Sequence, residues 1–376
     1  RCCLEDIVMG KLHGLTIGLD ICSTLHMDVS LDDLDWCQDR IMPANPAYLM
    51  ALPTKNDPML GYLTTAFQDH VRLREKFNYK VNDDMQRFFQ RLEILDAAGN
   101  PASHFGDPLW VWYAYRLAKG DRRSRAAIYR EGKKKMQEVR NRGVYLAQGY
   151  DGRPWKMEAK LDREIRELYA DSKKCIWVEL SPSFIASLPN AVVLKSRSKD
   201  RTDYILHPQT GEVLEDASWQ ILKEMKAKRG DAVQVQIIVS DGLNAHAVMD
   251  PGHLAPYLSH LEKGLKEKHR TLAPELLVLQ GGRVRAGYRI GEVLFGDKPN
   301  AREHKAIIHI IGERPGTMHH TFSAYITAPP AAVWTRAGID HNITRVVSGV
   351  ADTALRPDLA AAQTVKILDD LWKGDV

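Results

Sequence analysis

The residues best suited to chemistry are carboxylates, histidines and glycine-flanked arginines at the ends of apolar runs. Asp20 closes the run Leu15-Thr16-Ile17-Gly18-Leu19. In a barrel, a strand's C-terminal end is where catalytic and substrate-binding groups sit, and a carboxylate there suits a cationic amine. The same residue also reads as a helix or turn cap. His26 and Asp28 follow, but the spacing from Asp20 is too loose to specify a metal. Met50 and Met59 lie on and just after a second apolar run. Methionine is adaptable core filler; at a barrel's mouth it also lines a cofactor face. Farther along, Gly281-Gly282-Arg283-Val284-Arg285-Ala286-Gly287 lacks the dinucleotide fingerprint and the Gly-Lys-Ser/Thr tail of a phosphate loop. Its glycines permit close backbone approach to a ligand. Its two arginines suit an anionic or amide-rich group, or are plain surface charges. Gly312-Glu313-Arg314-Pro315-Gly316 follows another apolar run, which puts Glu313 and Arg314 at a ligand edge. His319 and His320 are adjacent, and neighbours on an extended chain point opposite ways, so they read as a loop pair. Ser348 and Asp352 complete no nucleophilic triad.

Positioning these groups requires strands and helices in alternation. Ser30, with Asp33 three residues on, marks a helix start of capping-box type. That helix carries Leu31, Leu34, Trp36 and Ile41 and is closed by Pro43 and Pro46. Residues 15–20 and 47–52 are continuous apolar strands, and helices are predicted at 64–76 and 84–95. The alternation predicts a parallel sheet, as two units of a barrel or open sheet. The turn-rich stretch 96–108 ends this first domain near Tyr113. A new α/β pattern begins at about 191. Strands are predicted at 233–239, 276–279, 306–311 and 322–326, with a helix at 253–268. Three of them run into glycine-containing turns, which predicts a doubly wound sheet whose ligands lie beyond the strand C-termini. The expected organisation is 1–113, a charged helical connector at 114–190, and 191–376.

Composition bounds the classes of function. The chain has 376 residues, 44% hydrophobic, 27% charged and 8% aromatic. That length fits two or three domains, and the balance excludes a disordered chain or a small disulfide scaffold. No apolar run reaches 18 residues, so no membrane partner is expected. Cys2, Cys3, Cys22, Cys37 and Cys175 fit no zinc pattern and indicate a reducing compartment. The net charge of +4 hides a basic stretch at 114–142, with eleven Lys/Arg against three Asp/Glu. It reads as a nucleic-acid patch or as a solvated helix face. No DNA or RNA module surrounds it, so no nucleic-acid partner is expected. No secretory or transit signature is present. The chain starts at Arg1, and its first residues read as the middle of a domain, so a fragment is expected.

Several strings, in order, carry a resemblance. In the first part they are Met9-Gly10-Lys11-Leu12, Gly18-Leu19-Asp20, Asp57-Pro58-Met59-Leu60, Thr64-Thr65-Ala66-Phe67-Gln68-Asp69 and Gly106-Asp107-Pro108. In the second they are Ser196-Arg197-Ser198-Lys199-Asp200, Val239-Ser240-Asp241-Gly242-Leu243, Gly282-Arg283-Val284, Ile290-Gly291-Glu292 and Gly312-Glu313-Arg314-Pro315-Gly316. The first set resembles the C-terminal part of the large subunit of ethanolamine ammonia-lyase, and the second resembles its small subunit. The resemblance implies an incomplete (β/α)8 TIM barrel followed by a doubly wound, Rossmann-like small-subunit domain. It implies a carbon–nitrogen lyase that uses adenosylcobalamin, with its own lower base on cobalt, in a radical conversion of ethanolamine to acetaldehyde and ammonia. No Asp-x-His-x-x-Gly string, by which other cobalamin proteins supply a histidine to cobalt, appears. Expected partners are ethanolamine and the large and small subunits, as an oligomer. The expected location is cytoplasmic, with a bacterial microcompartment as a second.

The same resemblance assigns residues. Asp20 matches the carboxylate that holds ethanolamine, at the end of the penultimate barrel strand. Met59 matches a cobalamin contact, with Met50 on the last strand near the same mouth. Val284 and Glu313 match small-subunit cobalamin contacts. A third contact, a cysteine in some members, falls nearest Val346, before Ser348-Gly349-Val350; a backbone contact survives that change and a sulfur contact does not. The earlier barrel strands, which carry the family's other substrate-binding residues, have no counterpart in the sequence. The expected activity therefore needs the missing barrel. The alternative is a cobalamin-binding, small-subunit-like module without catalysis of its own.

Overall fold

Local signals set the elements of Arg1–Asp171, the first of two compact units. The computed structural model describes residues 1–57, 61–141, 156–229, 232–296, 304–313, 315, 320–335 and 339–374. Helix α1 (Cys2–Leu12) precedes strand β1 (Gly18–Leu19). Helix α2 (Leu31–Ile41) starts as its sequence requires: Ser30 Oγ accepts the Asp33 N–H, and the Asp33 carboxylate accepts the Ser30 N–H at 2.9 Å. Strand β2 (Tyr48–Leu49) runs parallel to β1, with Gly18 opposite Tyr48 and Leu19 opposite Leu49. Helices α3 (Phe67–Phe77), α4 (Asp83–Arg91), α5 (Pro108–Ala118), α6 (Arg125–Asn141) and α7 (Ala159–Cys175) follow. The division between the units falls inside α7 and within the charged stretch.

The two strands expected over six residues each are strand over only two. They form a two-stranded sheet, and a parallel pair this short leaves each strand a ladder on one side only. Part of this unit's interior is polar. Gln38 Nε2 donates to Thr65 Oγ1 and Asp69 Oδ2, both at 3.2 Å, and Gln38 Oε1 accepts from Arg72 Nη2 at 2.7 Å. Lys55 Nζ pairs with Asp69 at 2.9 Å and with Asp35. Lys55 and Asp69 are buried, and pairing is what makes buried charge tolerable.

The second unit, Ser172–Val376, is built on one six-stranded sheet. In chain order its elements are α8 (Pro182–Ser187), β3 (Ala191–Lys195), α9 (Arg201–Leu206), α10 (Asp216–Arg229), β4 (Val235–Ser240), α11 (His246–Met249), α12 (Leu254–Glu267) and β5 (Leu276–Gln280). They continue with α13 (Val284–Phe295), β6 (Ala306–Gly312), β7 (Phe322–Thr327), α14 (Ala331–Trp334), β8 (Thr344–Val350) and α15 (Pro357–Lys373). The strand order is β3-β5-β4-β6-β7-β8. The first four strands are parallel, whereas β7 is antiparallel to both its neighbours. The sheet is therefore mixed, where a wound series alone was expected. Nine residues separate Gly312 from Phe322, fewer than a helical crossover needs, so the chain returns antiparallel.

Helices cover both faces of the sheet. Ile237, Val239, Val278, Ile308 and Ile310 pack with α12 and α15 through Tyr257, Leu261, Val365 and Leu368. Ile238, Leu277, Leu279 and Ile307 pack on the other face with Leu222 of α10 and Tyr288, Ile290 and Leu294 of α13. Strands buried on both faces read as unbroken apolar runs, and the predicted β4, β5 and β6 match such runs within a residue or two. Among the described residues, no helix is long and apolar enough to cross a membrane.

Candidate functional site

The parallel strands of the second unit end together, and their exits diverge. The chain leaves β4 toward α11 and α12 on one face of the sheet, and leaves β5 directly into α13 on the other. Such a divergence opens a crevice beyond the strand C-termini. Asp241, the first residue after β4, is 1% exposed. Its Oδ1 accepts the Gly281 N–H at 3.0 Å, and its Oδ2 accepts from Arg201 Nη1 at 3.2 Å. Arg201 Nε donates to the Ile176 carbonyl at 2.6 Å. The guanidiniums of Arg201 and Arg283 lie over the Tyr204 ring, 4.6 and 4.3 Å from its centroid. The Tyr204 hydroxyl donates to the Gly282 carbonyl at 3.3 Å, and Arg283 Nη2 donates to the Tyr204 carbonyl at 2.8 Å.

Burial lifts the Asp241 carboxyl to about 6, against the pull of the Arg201 charge and with a small push from Glu179. Burial also raises the Tyr204 phenol well above its ordinary range. Two glycines bring the neighbouring exits into backbone contact. A Cβ on Gly242, at φ +57°, would stand 2.0 Å from the Gly312 carbonyl oxygen, and one on Gly312 would stand 2.1 Å from that of Asn244.

Val284 is the first residue of α13, directly after this turn, and is half-buried. Glu313 follows β6, also half-buried, and its Oε1 accepts the Tyr325 hydroxyl at 3.1 Å. Tyr325 stands opposite Val346 in the β7–β8 register and opposite His309 in β6–β7. Directly paired residues share a face, and His309 lies against Gly287 of α13. Val346, Tyr325 and α13 are therefore on one side of the sheet, and the Val346 side chain is 42% exposed.

In the first unit, Asp20 directly follows β1 and Met50 directly follows β2. The Met50 N–H donates to the Leu19 carbonyl at 2.8 Å, so the two side chains stand at the same end of the parallel pair. Both are exposed, and Thr64 Oγ1 reaches Asp20 Oδ1 at 3.5 Å. His26 contacts Thr24 Oγ1 at 3.1 Å. Met59, Arg314 and His319 lie outside the described residues. His320 Nδ1 meets Asp250 at 2.7 Å, and its Nε2 lies 3.6 Å from Cys175 Sγ.

Sequence reasoning missed Asp241 and Arg201 as members of this edge. The signal for Asp241 was present, since it follows an apolar strand as Asp20 does. Arg201 sits in a polar string that looks like surface, and nothing local marks its burial.

Residues 1–104 match the family model of the ethanolamine ammonia lyase large subunit, and residues 131–375 match that of the ethanolamine ammonia-lyase light chain. The ethanolamine ammonia-lyase small subunit of Pseudomonas syringae pv. tomato is 30% identical over 186 residues, covering 49% of this chain and 59% of that protein. The small subunit of Ralstonia nicotianae is 26% identical over 211 residues, covering 54% of this chain and 72% of that protein. The large subunit of Escherichia coli K12 is 34% identical over 108 residues, covering 29% of this chain and only 24% of that protein. Because the light-chain match spans more than half of the sequence and the large-subunit match precedes it, the chain belongs to the ethanolamine ammonia-lyase family, with large-subunit sequence followed by small-subunit sequence.

Proposed function

We propose that this chain serves the adenosylcobalamin-dependent conversion of ethanolamine to acetaldehyde and ammonia, in complex with ethanolamine ammonia-lyase subunits. In this reading the first unit is the C-terminal part of a (β/α)8 barrel, and the second is a Rossmann-like small-subunit domain. The observation that carries the reading is the position of Asp20: an exposed carboxylate at the C-terminal end of a parallel strand, beside Met50. Asp20 holds the substrate ammonium through a charge-assisted hydrogen bond. When bound, the cofactor supplies a carbon radical by homolysis of its cobalt–carbon bond.

The second unit's edge fits such a group. Val284 and the exposed Val346 offer apolar contact, and Glu313 offers an acceptor for amide N–H groups at the rim of a corrin. The Tyr325 hydroxyl fixes the orientation of Glu313. Two parallel strands do not close an eight-stranded barrel, so turnover requires barrel strands beyond those in this sequence.

A second reading is a corrinoid-binding module without catalysis of its own. One observation favours it: the second unit holds a six-stranded sheet covered on both faces, whereas the first holds two short strands. Acetaldehyde release from ethanolamine and adenosylcobalamin, with the chain alone and with an intact large subunit, separates the two. Activity only on mixing supports the first reading. Corrinoid binding without activity in either case supports the second. Neither binding nor activity overturns both.

A further inference from the structure

We propose that Asp241 and Arg201 are positioning residues, whose buried ion pair fastens the Gly281–Gly282–Arg283 turn to the end of β4 and so sets where Val284 meets its ligand. The inference rests on reading this edge as a corrinoid site.

The turn is clamped from several sides. Asp241 accepts its first N–H, at Gly281. The Tyr204 hydroxyl takes the Gly282 carbonyl, and the Gly211 carbonyl takes the Arg283 N–H at 2.8 Å. Gly281 adopts φ +63°, and a Cβ on Gly282 would stand 2.4 Å from Leu279. The turn therefore has little room to shift without losing a contact. Arg201 is the keystone of the clamp, because it joins Asp241, the Ile176 carbonyl and the Tyr204 ring. It is 7% exposed, and its Nη2 has no hydrogen-bond partner among the described atoms.

The energetics argue for position rather than stability. Burial disfavours the Asp241 carboxylate more than Arg201 favours it, so the ionised form is a burden on the fold. Buried, perturbed carboxylates at a ligand edge are characteristic of functional sites. The charged and titratable groups that act on Asp241 are Arg201 and Tyr204 on α9 and Glu179 ahead of α8, and Tyr204 in turn faces Arg283 on the turn and Glu313 after β6.

The test uses the full chain with adenosylcobalamin as the probe, together with amide hydrogen exchange. Asp241→Asn keeps the shape but removes the charge that orients Arg201. Exchange at residues 281–284 should accelerate by about tenfold, the size of one lost charged hydrogen bond, while β4–β6 stay protected. Cofactor affinity should fall by about the same factor. In the parent protein, affinity should decline as pH falls through about 6, and in Asp241→Asn it should be flat. Arg201→Lys, which keeps a charge but not the fork, should give a smaller change in both readouts; it serves as the probe if Asp241→Asn does not fold. Unchanged exchange at 281–284 in both variants overturns the proposal. If the parent chain does not bind the cofactor, the functional reading fails, and the exchange data still decide whether the pair positions the turn.

Discussion

Acidification from pH 7.5 to pH 5 should expose two opposed titrations in the second unit. His309 is fully buried in β6, with Nε2 2.6 Å from Ser240 Oγ, and burial holds it down to about 4 from an ordinary 6.5. Its lowered value gives stability that is complete above 6.5 and is lost as pH falls toward about 4. At pH 5 the unfolded histidine is protonated and the folded one is not, a loss of about 2 kcal/mol. Asp241 acts in the opposite sense. Its value is raised from 3.8 to about 6, so its contribution is complete below 3.8 and is lost as pH rises through about 6. On going down to pH 5 it returns about 1 kcal/mol. In the parent protein the Asp241 gain therefore offsets only part of the His309 loss. His309→Gln keeps a hydrogen-bonding side chain and leaves the Asp241 gain unopposed. Asp241→Asn leaves the His309 loss unopposed. Between pH 7.5 and pH 5 the two variants should therefore diverge by about 3 kcal/mol. Urea unfolding, followed by exchange protection of β4–β6, reads this difference while other titrations drop out of the comparison. Parallel pH profiles for the two variants would refute the assignment of these values to burial.

Three further outcomes follow from geometry. Gly312→Ala should destabilise the second unit by about 3 kcal/mol or more, because its Cβ would meet the Asn244 and Asp241 carbonyl oxygens at 2.1 and 2.5 Å; an unshifted urea midpoint counts against it. Ser30→Ala should cost about 1 kcal/mol through loss of the α2 cap, seen as faster exchange in the first turn of α2. Asp20→Asn should leave stability unchanged, since the side chain is exposed, and should lower kcat/KM for ethanolamine by roughly tenfold to a hundredfold in the complete complex. Unaltered kinetics would remove Asp20 from the site.

What was legible in the sequence was local. Ser30 and Asp33 specify their cap within four residues, and the structure has it. The apolar runs of β4, β5 and β6 announce strands buried on both faces. The direction of β7 was not legible, because it depends on the length of the connection after Gly312 rather than on the strand's own composition. Strand β8 alternates exposed and buried positions around Val346 at the sheet's edge, and an edge strand carries too weak an apolar signal to stand out. Arg201 was invisible for a different reason. Its burial is decided by Ile176 and Asp241, far away in sequence.

The strand order has a consequence for synthesis. Among the described residues, strand β3 pairs with β5 and with no other strand, and about eighty residues separate Lys195 from Leu276. A ribosome adding roughly 5–20 residues per second takes several seconds to cover that gap. Through that interval Ala191–Lys195 has left the peptidyl transferase centre before the strand it pairs with exists. The sheet cannot be laid down in the order in which it is translated; β5 must slide between two strands already made, and β3 waits for it.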